Sequence, residues 1–153
     1  MSFIYNPNKY WVAYKGFFRP KYPEKYGGNP HNIVYRSQWE LHLMMQLDHD
    51  PKVIAWASEE LSVPYYDPTR GSVHRYYPDF HVKYQDGKIY LVEIKPHKQT
   101  RPSQAKNKRR YLKESITYAR NVAKWKSAKV YCEDRGWKFI ILTEKELFGK
   151  LNK

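Results

Sequence analysis

One cysteine, Cys132, stands in 153 residues. A lone thiol excludes a disulfide framework and any zinc site built from several cysteines, and a reducing compartment is its natural home. No apolar run approaches the roughly 18 residues of a spanning helix, and the N-terminal stretch lacks an apolar signal core. A soluble chain without a standard export signal is expected. Acids are scarce, with 15 Asp and Glu against 28 Lys and Arg, a formal charge of +13. That balance excludes an acidic chaperone or tail and points to a polyanion, nucleic acid before an anionic membrane. Internal repeats and low-complexity tracts are also missing. What is abundant is aromatic side chain, 17% of the chain, which excludes disorder and supplies a core. The length is that of one domain.

The positive charge is concentrated. Between Lys98 and Lys129 lie eleven basic residues and one acid, Glu114, a local net of +10 that leaves +3 for the rest. Lys106, Arg110, Lys113, Arg120 and Lys124 recur at spacings of 4, 3, 7 and 4, one side of a helix. Leu112, Ile116, Ala119 and Ala123 recur on another, joined by Tyr111, Tyr118, Val122 and Trp125. With Pro102 before it and Gly136 after it, the uninterrupted run predicts a helix of almost 50 Å, with a bend or split near Arg120 to Val122. The expected arrangement sets the apolar side on the core and the cationic side on phosphates.

Residues 1–35 are rich in aromatics, Pro and Asn with little periodicity, including Tyr10, Trp11, Tyr14, Phe17, Phe18, Tyr22 and Tyr26. They read as an irregular arm on residues 36–153. Enriched Tyr and Trp suit core packing, a partner interface or stacking on single strands. Ser37 to Leu47 reads as a capped helix. Val53–Ala57, Leu61–Tyr65, Arg75–Tyr84 and Lys88–Lys95 read as strands, the last two joined at Gln85-Asp86-Gly87. Trp137–Leu142 reads as a strand, and Thr143-Glu144-Lys145-Glu146 as a capping box opening a short helix. The result is a mixed α/β single domain.

The residues that carry chemistry are Pro78-Asp79-Phe80 and Val92-Glu93-Ile94-Lys95. Strand alternation puts Glu93 and Lys95 on one face. A three-residue turn pairing Tyr84 with Lys88 sets Asp79 opposite Glu93, whereas a two-residue Asp-Gly turn sends the acids to opposite faces. Opposed carboxylates repel unless a cation lies between them. Oxygen-only ligands, with the Ile94 backbone carbonyl as a further one, favour Mg²⁺ over zinc. Lys95 reaches the same space as a point charge. In a basic protein this set reads as metal-assisted phosphodiester hydrolysis. Glu40 lies on the apolar stripe of its helix and is read as a third carboxylate of the site. It is also the third position of the capping box Ser37-Gln38-Trp39-Glu40, so two roles compete for one side chain. His81 shares a face with Asp79 and His97 lies two residues past Lys95; contact with substrate is one reading of each, and surface or strand histidines without a role the other.

Glu40, Asp79, Glu93 and Lys95 together resemble the PD-(D/E)xK nuclease signature. That resemblance implies a restriction-endonuclease-like αβββαβ core with a mixed sheet flanked by helices. Tyr77-Pro78-Asp79-Phe80, the Asp86-Gly87 turn and Leu91 to Pro96 are similar to the transposon-type endonucleases of the superfamily. The aromatic arm Asn8 to Phe18 and Ile33 to Glu40 extend the likeness over the whole chain, to the head-completion nucleases of T-even-type tailed phages. What this implies is a DNA nuclease using Mg²⁺ or Mn²⁺, held by Asp79, Glu93, the Ile94 carbonyl and Glu40, with Lys95 assisting the water. It would act after DNA packaging, in the host-cell cytoplasm during assembly or associated with the virion, beside head or portal proteins, with no nucleotide cofactor and no membrane. The phosphates would be gripped by Lys98, Arg101, Lys106, Arg109, Arg110, Lys113, Arg120 and Lys124. Relatives often carry a Gln or Tyr early on the helix after the Lys, for which Gln104 and Tyr111 are the candidates. The alternative is a non-catalytic DNA-binding or head-assembly protein of the same fold.

Overall fold

The structure, a computed structural model, describes residues 15–148. Tyr10, Trp11 and Tyr14 of the arm lie outside the described residues. A short ribbon of β1 (Gly16–Phe17) and β2 (Val34–Tyr35) precedes α1 (Gln38–His49). Then come β3 (Val53–Ser58), β4 (Val63–Asp67), β5 (Ser72–Tyr76), β6 (Phe80–Tyr84) and β7 (Ile89–Ile94). A 3-10 turn over His97–Thr100 leads to α2 (Lys108–Arg135), followed by β8 (Lys138–Leu142) and α3 (Glu144–Phe148).

The central sheet runs β3-β6-β7-β8, antiparallel except for the parallel pair β7–β8. With α1 before it and α2 as the crossover, this is the αβββαβ order. The β4–β5 hairpin is an insertion forming its own two-stranded sheet. Arg75–Tyr84, read as one strand from the sequence, is two. Pro78 has no N–H for a ladder, and the chain leaves one sheet at Tyr76 and enters the other at Phe80.

Alternation sorts the sheet into two faces. Phe80, Val82, Val92 and Ile94 pack with Leu43, Met44 and Leu47 of α1 and with Trp56. Leu91 points the other way, into a cluster with Val63, Tyr65, Tyr76, Ala128 and Cys132 beneath α2. The arm is partly core: Phe18 and Tyr26 set their rings edge-on to Trp56, at 5.9 and 4.8 Å between centroids. Asp48, buried in α1, accepts the Lys21 and Tyr22 amides, and Lys25 Nζ reaches the Leu47, Asp48 and Asp50 carbonyls at the end of that helix. Phe17 and Tyr22 stay exposed.

The helix α2 differs from its sequence reading in three ways. It starts at the Asn107 cap, whose side chain accepts the Arg110 amide at 3.0 Å, and not near Pro102. The intervening chain instead folds back, with Ser103 Oγ donating to Glu114. It is a single helix of 28 residues ending at Gly136, whose φ of +73° is left-handed. Its faces are also largely reversed. Asn121, Ala128 and Cys132 face the protein, while Leu112, Ile116 and Val122 are exposed; of the expected apolar side, Ala123 and Trp125 do pack against the cluster beneath the helix. The reason is what lies beneath. Small residues suit the close approach over the sheet. The first turns overlie the polar segment 97–106, where Arg110 and Lys113 line a cavity with Lys98 and Arg101 while Leu112 and Ile116 turn away.

Leu91 is fully buried at the centre of the α2 face of the sheet. Leu91→Ala is therefore expected to lower unfolding free energy by about 2–5 kcal/mol, measured by urea denaturation.

Candidate functional site

The β6–β7 hairpin decides where the acids go. The Tyr84 amide donates to the Lys88 carbonyl at 2.9 Å, and Gly87 adopts φ of +88°. The turn thus has three residues, Gln85 to Gly87. Phe80 pairs with Val92 and His81 with Leu91. One step beyond Phe80–Val92, Asp79 stands opposite Glu93, on the face that carries Leu91. The register required by the chemistry is the one adopted.

Both carboxyl groups are withdrawn from water. Glu93 is buried. Asp79 is half-buried as a residue, with its carboxyl group turned inward, where Oδ2 accepts the Ile94 amide at 2.8 Å. The two carboxyl groups face one another across the pair of strands, and each makes ionising the other more costly. Burial first, and the Glu93 charge second, push the Asp79 carboxyl well above its ordinary range, so without a cation ionising both acids is costly. Lys95 Nζ lies 3.9 Å from Glu93 Oε2.

Glu40 serves its helix first. Its amide bonds to Ser37 Oγ at 3.1 Å, and its Oε2 accepts from Ser37 Oγ and the Arg36 amide, so the capping role is realised. Burial raises its pKa, against those hydrogen bonds, and it adds to the repulsion felt by Asp79. Among the described residues, no three His, Cys, Asp or Glu side chains form a ready-made metal cluster. Asp79, Glu93 and Lys95 are brought together; Glu40 approaches from α1 and remains on its cap.

Two residues at the site carried no signal of that place in the sequence. Trp125 Nε1 donates to Glu93 Oε2 at 3.4 Å. The buried Tyr76 hydroxyl has no hydrogen-bond partner of ordinary geometry among the described residues. Burial, then the charges of Glu93 and Asp79, push its pKa up. Trp125 could not be placed without knowing how α2 crosses β7, nor Tyr76 without the break before Asp79. Gln104 and Tyr111 are exposed and lie before or in the first turn of α2. His81 stacks against Trp137 at 4.9 Å, and burial lowers its pKa; His97 is engaged by Arg101 and Lys145.

The cations divide into four groups. Lys98, Arg101, Arg110 and Lys113 line a cavity of ≈ 430 Å³ between the 3-10 turn and α2, which also reaches Asn121. Arg110 is bonded there to Glu114 at 2.8 Å. Lys106 and Arg109 are exposed. Lys124 is half-buried over the Tyr65 and Tyr76 rings, at 5.9 and 5.7 Å; burial lowers its pKa, opposed by the Glu93 charge. Arg120 has a different task from the one expected. It holds buried Asp67 at 2.9 Å and Thr69 Oγ1 at 2.9 Å, locking the β4–β5 hairpin to α2. Burial alone would raise the Asp67 carboxyl, but Thr69, Arg70 and Arg120 hold it far below the usual range.

Among the described residues no helix is long and apolar enough to cross a membrane. Residues 50–144 match the family described as TnsA-like endonuclease N terminal, a span that includes Asp79, Glu93 and Lys95. A protein named head completion nuclease, from Enterobacteria phage T4, is 40% identical over 139 residues, covering 87% of this chain and 93% of its own length. Strand order, hairpin register and these likenesses agree, and the chain belongs to the TnsA-like, restriction-endonuclease-like nuclease family.

Proposed function

We propose that this chain is a Mg²⁺- or Mn²⁺-dependent deoxyribonuclease acting in phage head completion, with Asp79 and Glu93 as the acids that hold the ion. The observation that carries the reading is the mutually repelling pair of inward-facing carboxyls across β6–β7, with an ammonium 3.9 Å from one member. Two carboxylates in low dielectric need a proton or a cation between them. The donors are oxygens, which suits a hard divalent ion, and the unpartnered Tyr76 hydroxyl leaves a polar atom facing the same space. The Ile94 carbonyl is the proposed backbone ligand, and Glu40 the outer acid that adds negative charge. When bound, such an ion lowers the pKa of water and stabilises charge on the phosphoryl oxygens.

The side chains divide the remaining work. Lys95 orients the attacking water and offsets charge that develops at the phosphorus. Trp125 fixes the Glu93 carboxylate, and Lys124 adds positive charge from α2. The ≈ 430 Å³ cavity edged by Lys98, Arg101, Arg110 and Lys113 receives the phosphates of a flanking strand, with Lys106 and Arg109 outside it. In this reading residues 1–35 stay an arm on a 36–153 nuclease unit, and the partners beyond DNA are head or portal proteins. The setting is the cytoplasm of the infected host, or the virion. The head-completion role follows the name of the phage T4 relative.

Three measurements test it. Linear DNA incubated with Mg²⁺ is expected to be cut and EDTA to stop the cutting. Lys95→Ala and Asp79→Ala are each expected to lower the rate by about 10²-fold or more with DNA binding retained. Equal cleavage by all three proteins removes the site, and binding without turnover by the wild type leaves the non-catalytic alternative.

The second concerns the Asp79 proton. Folded, Asp79 keeps its proton to higher pH than unfolded, so metal-free stability falls as pH rises above the ordinary carboxylate value of 3.8. Asp79→Asn is expected to melt above the wild type at neutral pH without metal, the gain vanishing below that value. Mn²⁺ should raise the melting temperature of the wild type and not of the variant.

The third concerns the cationic cavity. Neutralising Lys98, Arg101 and Lys113 together is expected to reduce the slope of log affinity against log salt by about 0.9 for each phosphate that these side chains neutralise, read from DNA binding at several salt concentrations.

A further inference from the structure

Most of the stripe that the sequence assigns to the core is turned to solvent by α2, with Ala123 half-buried at the margin of the cluster beneath the helix. Leu112, Ile116, Ala119, Ala123, Lys126 and Val130 follow one another at spacings of 4, 3, 4, 3 and 4, the repeat of a coiled-coil seam. The three large apolar members are 62, 44 and 51% exposed, for Leu112, Ile116 and Val130. Apart from Ala123, which reaches the margin of the cluster beneath α2, the seam lies on the opposite side of the helix from Asn121, Ala128 and Cys132, so an occupant leaves the carboxylate pair open.

The same repeat continues into charge at both ends. Lys108 and Arg109 flank it at the start, Glu133 and Asp134 at the finish. None of these four has an ion-pair partner among the described residues. The pattern is self-complementary about residue 121. A two-fold axis there sets Leu112 opposite Val130, Ile116 opposite the aliphatic stem of Lys126, and Ala119 opposite Ala123. It also sets Arg109 opposite Glu133 and Lys108 opposite Asp134. A parallel pairing would oppose like charges at both ends. The small central alanines allow close approach of the backbones. Beside Val130, a shallow groove of ≈ 380 Å³ bounded by Val63, Pro64, Ser127 and Tyr131 lies where Leu112 of the second copy would enter.

We infer that the outward face of α2 is the interface of an isologous dimer, the two α2 helices packing antiparallel in register about residue 121. The occupant is a second copy of this chain, because only a partner with the reversed order of charge satisfies both ends, and this helix is its own such partner. The dimer carries two carboxylate pairs, one per protomer.

Sedimentation of the full chain over a range of concentrations tests the inference, with circular dichroism confirming that each variant is folded. The wild type should pass from 18.5 kDa to twice that mass. The double variant Leu112→Glu, Ile116→Glu should stay monomeric. Reversing one end, Lys108→Glu with Arg109→Glu, should weaken the dimer about tenfold. Reversing the other, Glu133→Lys with Asp134→Lys, should do the same, and all four changes together should restore it. A wild type that stays monomeric up to the limit of solubility overturns the inference, whatever other protein it captures. So does a dimer that survives the Leu112 and Ile116 changes, or a four-fold reversal no tighter than either end alone.

Discussion

Two carboxyl groups are held opposite one another where water cannot separate them. Burial is the first cost for Asp79, which the Ile94 amide offsets in part, while Glu93 accepts from the Trp125 indole of α2. Their proximity adds to that cost, and every surrounding element either imposes it or offsets it. The three-residue turn imposes it, since a turn shorter by one residue would send the acids to opposite faces. The break at Pro78 places Asp79 at the strand edge, where its side chain accepts from Ile94. Lys95, Lys124 and the proton carried by Asp79 offset it. A site in which the metal-free state is under electrostatic strain favours cation binding, at the expense of stability.

The long helix works on both sides of this balance. Its C-terminal half lies close over the sheet because Ala128 and Cys132 are small, and this brings Trp125 to Glu93. Its N-terminal half overlies the 3-10 turn after β7 and lines the cationic cavity. Between them, Arg120 clamps Asp67 and Thr69 and so ties the inserted hairpin, with Tyr65 and Tyr76, to the site. One element thus connects the carboxylate pair, the phosphate-binding cavity and the outward seam.

The hairpin register was legible in the sequence because a chemical requirement and a turn pattern agreed on it: only one of two turn lengths let Asp79 and Glu93 meet. The helix limits at Ser37 and Thr143 were legible because a capping side chain is local chemistry. The orientation of α2 was not. Its leucine, isoleucine and alanines have the periodicity of a core stripe, and nothing local tells whether the surface beneath is sheet or polar loop. Arg120 reads as one more phosphate-binding cation until Asp67, 53 positions away, is known to lie under it. Trp125 and Tyr76 reach the site only through long-range packing and could not be assigned from spacing.

A crystal soaked in Mn²⁺ tests the arrangement at the acids most directly. An anomalous peak within about 2.0–2.2 Å of an oxygen of Asp79 and of Glu93 is the expected result, since a hard divalent ion binds carboxylate oxygens at that range. No peak between the two carboxyl groups, with the manganese elsewhere or absent, would contradict it.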